Sequence, residues 1–413
     1  MMKNTSKGYI ILFVAWLAAC TDYACIQQLS PISAFIIADL GLSSAQMGIL
    51  YSIPTIMFAL VAFLGGAASD KYGAINVACA GITMIALAAL SRGFTSVSYW
   101  PLLVSNLILG VGSGLVLPNL PKMTGMNLPE KKRAFATSIY STGISVGSSL
   151  GLMLTIPVIN HLTGTWQNSF YFWGLCAICI AVIMWIVRSQ YGQKQNIIRS
   201  SNRLFDPEIY KNKKLWIAAV NLFFLVWLFF AVLGWVPRIL SAKGVESSQA
   251  GIMSGLVPLF GLLANFFTPM ISTKVKNRTL FIKGAFLISS LTIIFMIYGS
   301  ANSFWVLLPI IGYALNMGFV LCMFILPGDL VKQKNLGAAT GLVMTIGYAG
   351  SLIGSTVSGM LWDYSQKISM VLLGLFVVAV LGLIVSHLIP EPFQKQNMTY
   401  KDEIGGNKSC KQI

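Results

Sequence analysis

The stretch Gly66-Ala67-Ala68-Ser69-Asp70-Lys71-Tyr72-Gly73 interrupts hydrophobic sequence with an acid, a base and flanking glycines, and it lies between two bilayer-length apolar runs. Unsatisfied backbone and charge are too costly inside lipid, so a polar turn between two such runs belongs at a water interface. The stretch is therefore expected to be a loop, and a cytoplasmic one.

The same alternation extends outward from this turn in both directions. Of the 413 residues, 56% are hydrophobic and 10% charged, against roughly 25% charged in soluble domains, and the mean hydropathy is +0.76. This is the composition of an all-α, multi-pass protein of the lipid bilayer. Twelve spans of about 20 residues take about 240 residues, which leaves loops and one central linker but no large soluble domain. Apolar runs predict helices near 8–37, 45–67, 75–92, 98–122, 134–159 and 168–188, then near 214–240, 248–271, 279–299, 303–327, 337–361 and 368–389. The expected organisation is a six-helix bundle over 1–190, a cytoplasmic linker over 191–213, a second six-helix bundle over 214–390 and a cytoplasmic tail over 391–413. The first apolar run lacks a small-residue cleavage site and is expected to be a retained helix.

The formal net charge of +16 does not point to nucleic acid, because the basic residues fall between apolar runs and form no patch with stacking aromatics. With the N terminus inside, about 24 of the 28 Lys and Arg lie on or near the cytoplasmic side, leaving Arg92, Arg238, Lys243 and Lys367 near the outside. That bias supports an even number of spans with both termini cytoplasmic, in a bacterial inner or plasma membrane. The seven cysteines lie mostly in apolar segments, and Cys176 and Cys179 read as helix packing.

The two halves resemble each other. Gly41-Leu-Ser-Ser44-Ala-Gln46-Met-Gly48-Ile49 aligns with Gly244-Val-Glu-Ser247-Ser-Gln249-Ala-Gly251-Ile252 at an offset of 203 residues, with five of nine positions identical. At similar offsets Gly114-Leu-Val-Leu117 matches Gly318-Phe-Val-Leu321, and Gly143 matches Gly347. Lys71 falls on Lys274 but Asp70 on Thr273, so the second copy of the turn is degenerate. Two pseudo-symmetric bundles place a solute site between them near the bilayer midplane, reached from alternate sides as the bundles rock.

Gly66, Asp70, Lys71 and Gly73 match the loop 2–3 signature G-x-x-x-D-[RK]-x-G of the major facilitator superfamily, although Ala74 and Ile75 stand where two basic residues follow in that pattern. The chain resembles this family from Gly8 to about Pro390. Asp22, Pro31 and the run from Asp39 to Gly48 look like the first helix and loop of its anion:cation symporter group, with Tyr23 in place of an arginine. In the fourth helix Asn106, Gly110, Ser113 and Pro118 keep that group's glycine and proline and lose its arginine and glutamate. Trp235-Val-Pro237 is similar to the cyanate and nitroimidazole permease group. The resemblance implies the twelve-helix fold of two six-helix bundles, and a gate in which Asp70 meets a neighbouring helix end and holds the inside closed.

Asp22 lies inside the first helix. A carboxylate there costs roughly 2.5–3.5 kcal/mol on insertion scales, so such groups usually face a cavity and serve function. Asp22 is the expected proton-coupling group, with a structural carboxylate as the alternative. Tyr23 and Gln27 share its helix and one face, as candidate solute contacts or interhelical bonds. Asn106 and Ser113 share a face of the fourth helix, where Asn in place of Arg removes a fixed charge, so that an anion needs another partner. Lys122 and Arg238 are candidate anion contacts that lie near helix ends and could snorkel to the interface. Asn221, Asn265, Asn316, Tyr140 and Tyr348 are polar positions equally open to packing or to the cavity. Gly143, Gly147 and Gly151 form a glycine stair in the fifth helix, and Gly147-Ser148 stands where the antiporter signature has Gly-Pro.

The two histidines, His161 and His387, have no ligand-like spacing with Cys, Asp or Glu, so neither a metal nor a cofactor is expected. No phosphate-binding G-x-x-x-x-G-K-[ST] loop appears. The reading is a non-enzymatic, monomeric secondary transporter of a small solute, an organic anion moved by proton symport. A drug or metabolite exporter of the same fold and a non-transporting membrane sensor are the alternatives.

Overall fold

The computed structural model describes residues 2–95, 97–128, 130–162, 164–191, 207–331 and 336–389. Twelve helical segments are long and apolar enough to cross a membrane: Lys7–Gln27, Ser44–Ala62, Ala74–Thr95, Tyr99–Gly125, Ile139–His161 and Gln167–Gln190 in the first half, and Lys213–Ala242, Ser247–Val275, Arg278–Tyr298, Ala301–Leu330, Ala339–Ser365 and Ile368–Ser386 in the second. We number them spans 1 to 12. An even number of crossings puts the two chain ends on one face, here the terminal face, and the opposite one is the far face. Most of the expected linker, 192–206, and all of the expected tail, 391–413, lie outside the described residues.

The halves are wired alike. In the first, span 1 packs on spans 5 and 6, span 2 on span 4, and span 3 on spans 4 and 6. In the second, span 7 packs on spans 11 and 12, span 8 on span 10, and span 9 on spans 10 and 12. Lipid gives apolar helices no reason to associate, so close backbone approach at small residues must hold them together. Gly143, Gly147 and Gly151 of span 5 lie against Trp16, Cys20 and Ala24 of span 1, and one repeat later Gly347, Gly350 and Gly354 of span 11 lie against Leu222, Phe223 and Trp227 of span 7. A Cβ on Gly143 would come within 2.6 Å of the Trp16 carbonyl oxygen, so any larger side chain would push the helices apart. The repeat extends to the turns, where Gly41 and Gly244 both hold positive φ, 63° and 85°.

Three local features depart from the expected helices. The first helix stops at Gln27, and a separate short helix, Ser33–Leu40, follows a turn at 28–32. Pro31 has no N–H to continue the ladder, which divides the expected 8–37 run in two. The Gly66–Gly73 stretch is not a loop: the second helix runs on through Tyr72, and Gly73 alone turns the chain, at φ 89°. Beyond the bilayer a helix still satisfies its own backbone, so the polar residues ride on its last two turns. Spans 4 and 10 break at matching points, span 4 into a 3₁₀ turn at Leu117–Asn119 and span 10 into a π-helical turn at Leu321–Ile325. Each break precedes a short terminal-face helix, Leu120–Asn127 and Leu326–Leu330.

Candidate functional site

The two halves meet along spans 2 and 11 and along spans 5 and 8. Toward the far face Gly48 lies against the Ser355 and Thr356 backbone, and Gly359 against Ser44. Asp363, at the end of span 11, accepts from the Ser44 and Ala45 backbone N–H groups at 2.9 and 3.0 Å. It thus caps the N-terminus of span 2 from the other half, where the helix dipole favours an anion. Arg238 of span 7 donates to Ser44 Oγ at 2.9 Å and lies 4.5 Å from the Trp362 ring centroid and 5.4 Å from that of Trp235. Ser30 donates to the Leu233 carbonyl at 2.6 Å, and Trp235 Nε1 to the Ser355 carbonyl at 3.1 Å. Arg238, a candidate solute contact in the sequence, is here part of a latch between the halves.

Deeper in, Thr55 and Ser351 share a 2.8 Å hydrogen bond across the halves. Below the latch is a ceiling of rings: Tyr51 with Phe230 at 6.4 Å, Phe58 with Tyr348 at 5.3 Å, Phe230 with Tyr348 at 6.2 Å and Phe319 with Tyr348 at 6.5 Å. The buried Tyr23 of span 1 and the buried Tyr348 of span 11 are electrostatic neighbours across the contact between the halves. Gln27 accepts from Tyr51 through its Oε1, while its buried Nε2 has no partner. Asp22, completely buried, accepts from Ser113 Oγ at 2.5 Å through Oδ1, and its Oδ2 has no partner. The structure thus brings Asp22, Ser113, Tyr23, Gln27 and Tyr348 of the candidates together, and adds Tyr51, Phe58 and Phe230, which no motif or spacing singles out.

Asn106 is not free to meet a solute. Its Nδ2 donates to the Leu102 carbonyl at 2.8 Å and its Oδ1 accepts from Arg92 at 3.4 Å. Arg92 itself is the missed residue. Three residues from the far-face end of span 3, it is fully buried between spans 1, 4 and 6, where it also donates to the Cys25 carbonyl at 2.8 Å and lies 5.2 Å from the Phe170 ring centroid. The signal available was the neutral residue at 106, which implied that a cation had to come from another helix.

Lys122 is also drawn away from the centre, to the terminal face. It donates to the Gly66 carbonyl at 2.9 Å and to Ser69 Oγ at 2.7 Å, and it pairs with Asp70 at 2.8 Å. Asp70 therefore meets the end of a neighbouring helix, span 4 of its own half, and Lys71 lies over the Tyr72 ring at 5.1 Å. In the second half Arg278 and Asp329 pair at 3.0 Å, likewise within one bundle. Among the asparagines, Asn221 and Asn316 donate to the carbonyls four residues back, Ile217 and Gly312, each a helix-internal bond, and Asn316 packs on Gly261. Asn265 keeps a buried Oδ1 without a partner, and Tyr140 is buried in the first-half core.

This architecture is shared with known transporters. The chain is 23% identical over 360 residues to a 2-nitroimidazole transporter of Escherichia coli (strain K12), covering 86% of this chain and 88% of that one. It is 25% identical over 413 residues to a hexuronate transporter of Bacillus subtilis (strain 168), covering 93% and 95%. Its fold superposes with a TM-score of 0.77 on the crystal structure of a bacterial homolog to the human lysosomal transporter Spinster in an inward-facing, occupied conformation, at 16% identity and covering 93% and 97% of the two chains. The family model of the Major Facilitator Superfamily matches residues 11–355. With twelve spans in two equivalent bundles, a buried acid beside their contact and this match over most of its length, the chain belongs to the major facilitator superfamily.

Proposed function

We infer that the chain moves a small organic anion by proton symport, acting as a monomer in a bacterial inner or plasma membrane with both termini cytoplasmic, and that Asp22 carries the proton. The observation that carries this reading is the buried Asp22 carboxylate, with one oxygen held by Ser113 and the other without a partner, one residue from Tyr23 at the contact between the halves. Two like charges about 4 Å apart repel by about 4 kcal/mol at an effective dielectric of about 20. A solute anion therefore enters beside Asp22 after a proton has neutralised it, which ties the two movements together. The hydroxyls of Tyr23 and Tyr348 and the amide of Gln27 then offer donors to the anion. The latch closes the far face in this conformer, which on the distribution of Lys and Arg is the outer one. Gly66, Asp70, Lys71 and Gly73 act in closing the other.

The test is transport in proteoliposomes. Asp22→Asn is expected to abolish uphill accumulation driven by a pH gradient while leaving downhill exchange. Uphill accumulation that survives the substitution overturns the coupling role, and binding without any flux overturns transport in favour of a sensor.

The aromatic ceiling favours a second reading. Tyr51, Phe58, Phe230, Phe319 and Tyr348 form a surface suited to a planar ring, which an exporter of ring-bearing drugs or metabolites would also use. Resistance of expressing cells to such compounds, set against uptake of carboxylates, separates the two.

A further inference from the structure

The last turn of span 1 carries a donor that no group among the described residues accepts. Gln27 is fully buried, its Oε1 accepts from the Tyr51 hydroxyl, and its Nε2 has no partner. A buried N–H₂ group without an acceptor costs free energy, so its persistence calls for a reason. Its surroundings supply one. Gln27 shares a helix face with Tyr23, and Tyr23 is an electrostatic neighbour of Tyr51, Asp22 and Tyr348. The amide therefore lies among the groups of the transport site, at the contact between the halves. Tyr51 is held there by the other half: Gly234 of span 7 faces its ring, where a Cβ would come within 2.9 Å of Cδ1 and Cε1, and the Phe230 ring centroid is 6.4 Å away. Ser30, just past Gln27, donates to the carbonyls of Leu233 and Gly234 at 2.6 and 3.0 Å. One stretch of span 7 thus seats both the ring and the turn that follows the first helix.

We propose that Tyr51 is a positioning residue of the transport site, which by donating to Gln27 Oε1 turns the amide so that Nε2 is presented to a carboxylate oxygen of the solute. The inference deepens the anion reading above and rests on it. A carboxamide has an acceptor end and a donor end, and a half-turn about its last bond exchanges them. With the phenol in place one orientation is set before the solute arrives; without it both are open, and binding must first select one. The seat of the ring on Gly234 makes this orientation a property of the two halves in contact at the far face.

The experiment measures the binding of benzoate, nicotinate and glucuronate to the purified full-length protein in a double-mutant cycle of Tyr51→Phe and Gln27→Leu. At least one acid is expected to bind the wild type. Tyr51→Phe keeps the ring and removes the hydroxyl, and is expected to weaken that acid by about fivefold. Gln27→Leu removes the donor and is expected to weaken it by about tenfold. The double variant is expected to bind no worse than Gln27→Leu, because without an amide to orient the hydroxyl has nothing left to act on. A phenol that touched the solute itself, or acted only on the fold, would give losses that multiply to about fiftyfold. Losses that multiply, or an affinity unchanged in either single variant, overturn this proposal alone and leave the anion reading standing. A wild type that binds none of the three acids overturns the anion reading and this proposal with it. If Tyr51→Phe does not fold, Gly234→Ala decides, because the added methyl displaces the ring and its hydroxyl, and an acid affinity equal to that of the wild type contradicts the assigned role.

Discussion

Among the described residues, polar contacts at the far face join the two halves, whereas the ion pairs at the terminal face lie within each half. Asp363 and Arg238 of the second half both bind the start of span 2 in the first. At the other end Lys122 pairs with Asp70 inside the first half and Arg278 with Asp329 inside the second. Among the described residues, charge is thus committed between bundles at the far face and kept within bundles at the terminal face. In a duplicated protein this difference marks the conformational state, since the two ends are built from equivalent helices. It also explains why two cations read as solute contacts lie elsewhere: a long basic side chain near a helix end finds an acid, a carbonyl or a ring at the interface before it reaches the midplane.

The comparison breaks most readily at Gly48. A Cβ there would sit 2.7 Å from the Ser355 carbonyl carbon and 2.9 Å from Thr356 Cα. Overpacking of this kind costs roughly 1–3 kcal/mol, so Gly48→Val is expected to shift the population away from the closed far face by about tenfold, read as a longer distance between spin labels on Leu42 and Gln366. An unchanged distance distribution would show that this glycine contact does not set the state. Asp363→Asn keeps the shape of the cap and removes its charge at an exposed site, with an expected shift of about fivefold, for about 1 kcal/mol. Arg238→Gln removes one hydrogen bond and the contact with two indole rings, and is expected to shift the same distance by about threefold. A double-mutant cycle with Asp363→Asn that proves additive would mean the two are separate contacts and not one latch. The smallest effect belongs to the terminal face. Lys122 and Asp70 are 40% and 46% exposed, and such pairs are worth about 0–1 kcal/mol, so Lys122→Gln is expected to leave the far-face distance unchanged. A shift as large as that of Asp363→Asn would end the contrast between the two faces.

The number of spans, the division into halves and the glycine stair were legible because each depends on local chemistry. Twenty apolar residues cross a bilayer whatever surrounds them, and a glycine repeated every turn marks a face where backbones touch. Gly41 and Gly244 at matched positive φ bear out the repeat at the level of single dihedrals. Arg92 was not legible, because hydropathy places a cation at the end of an apolar run in the interface, and only the surrounding helices turn it inward. Tyr51 went unmarked because its partner, Gln27, is on another helix. The polarity of the Gly66–Gly73 stretch locates the water and says nothing about whether a helix continues into it.

One detail of the duplicated ends has a mechanical outcome. The polarity of the paired charges is exchanged between the repeats: the first-half base and the second-half acid stand on the segments beyond the two helix breaks, and their partners on the adjoining turns. Where rocking brings these two segments together a base meets an acid, whereas a duplication that had preserved sign would have set like against like. Lys122→Asp would restore that conflict, and slower closure of the terminal face in the variant is its expected signature.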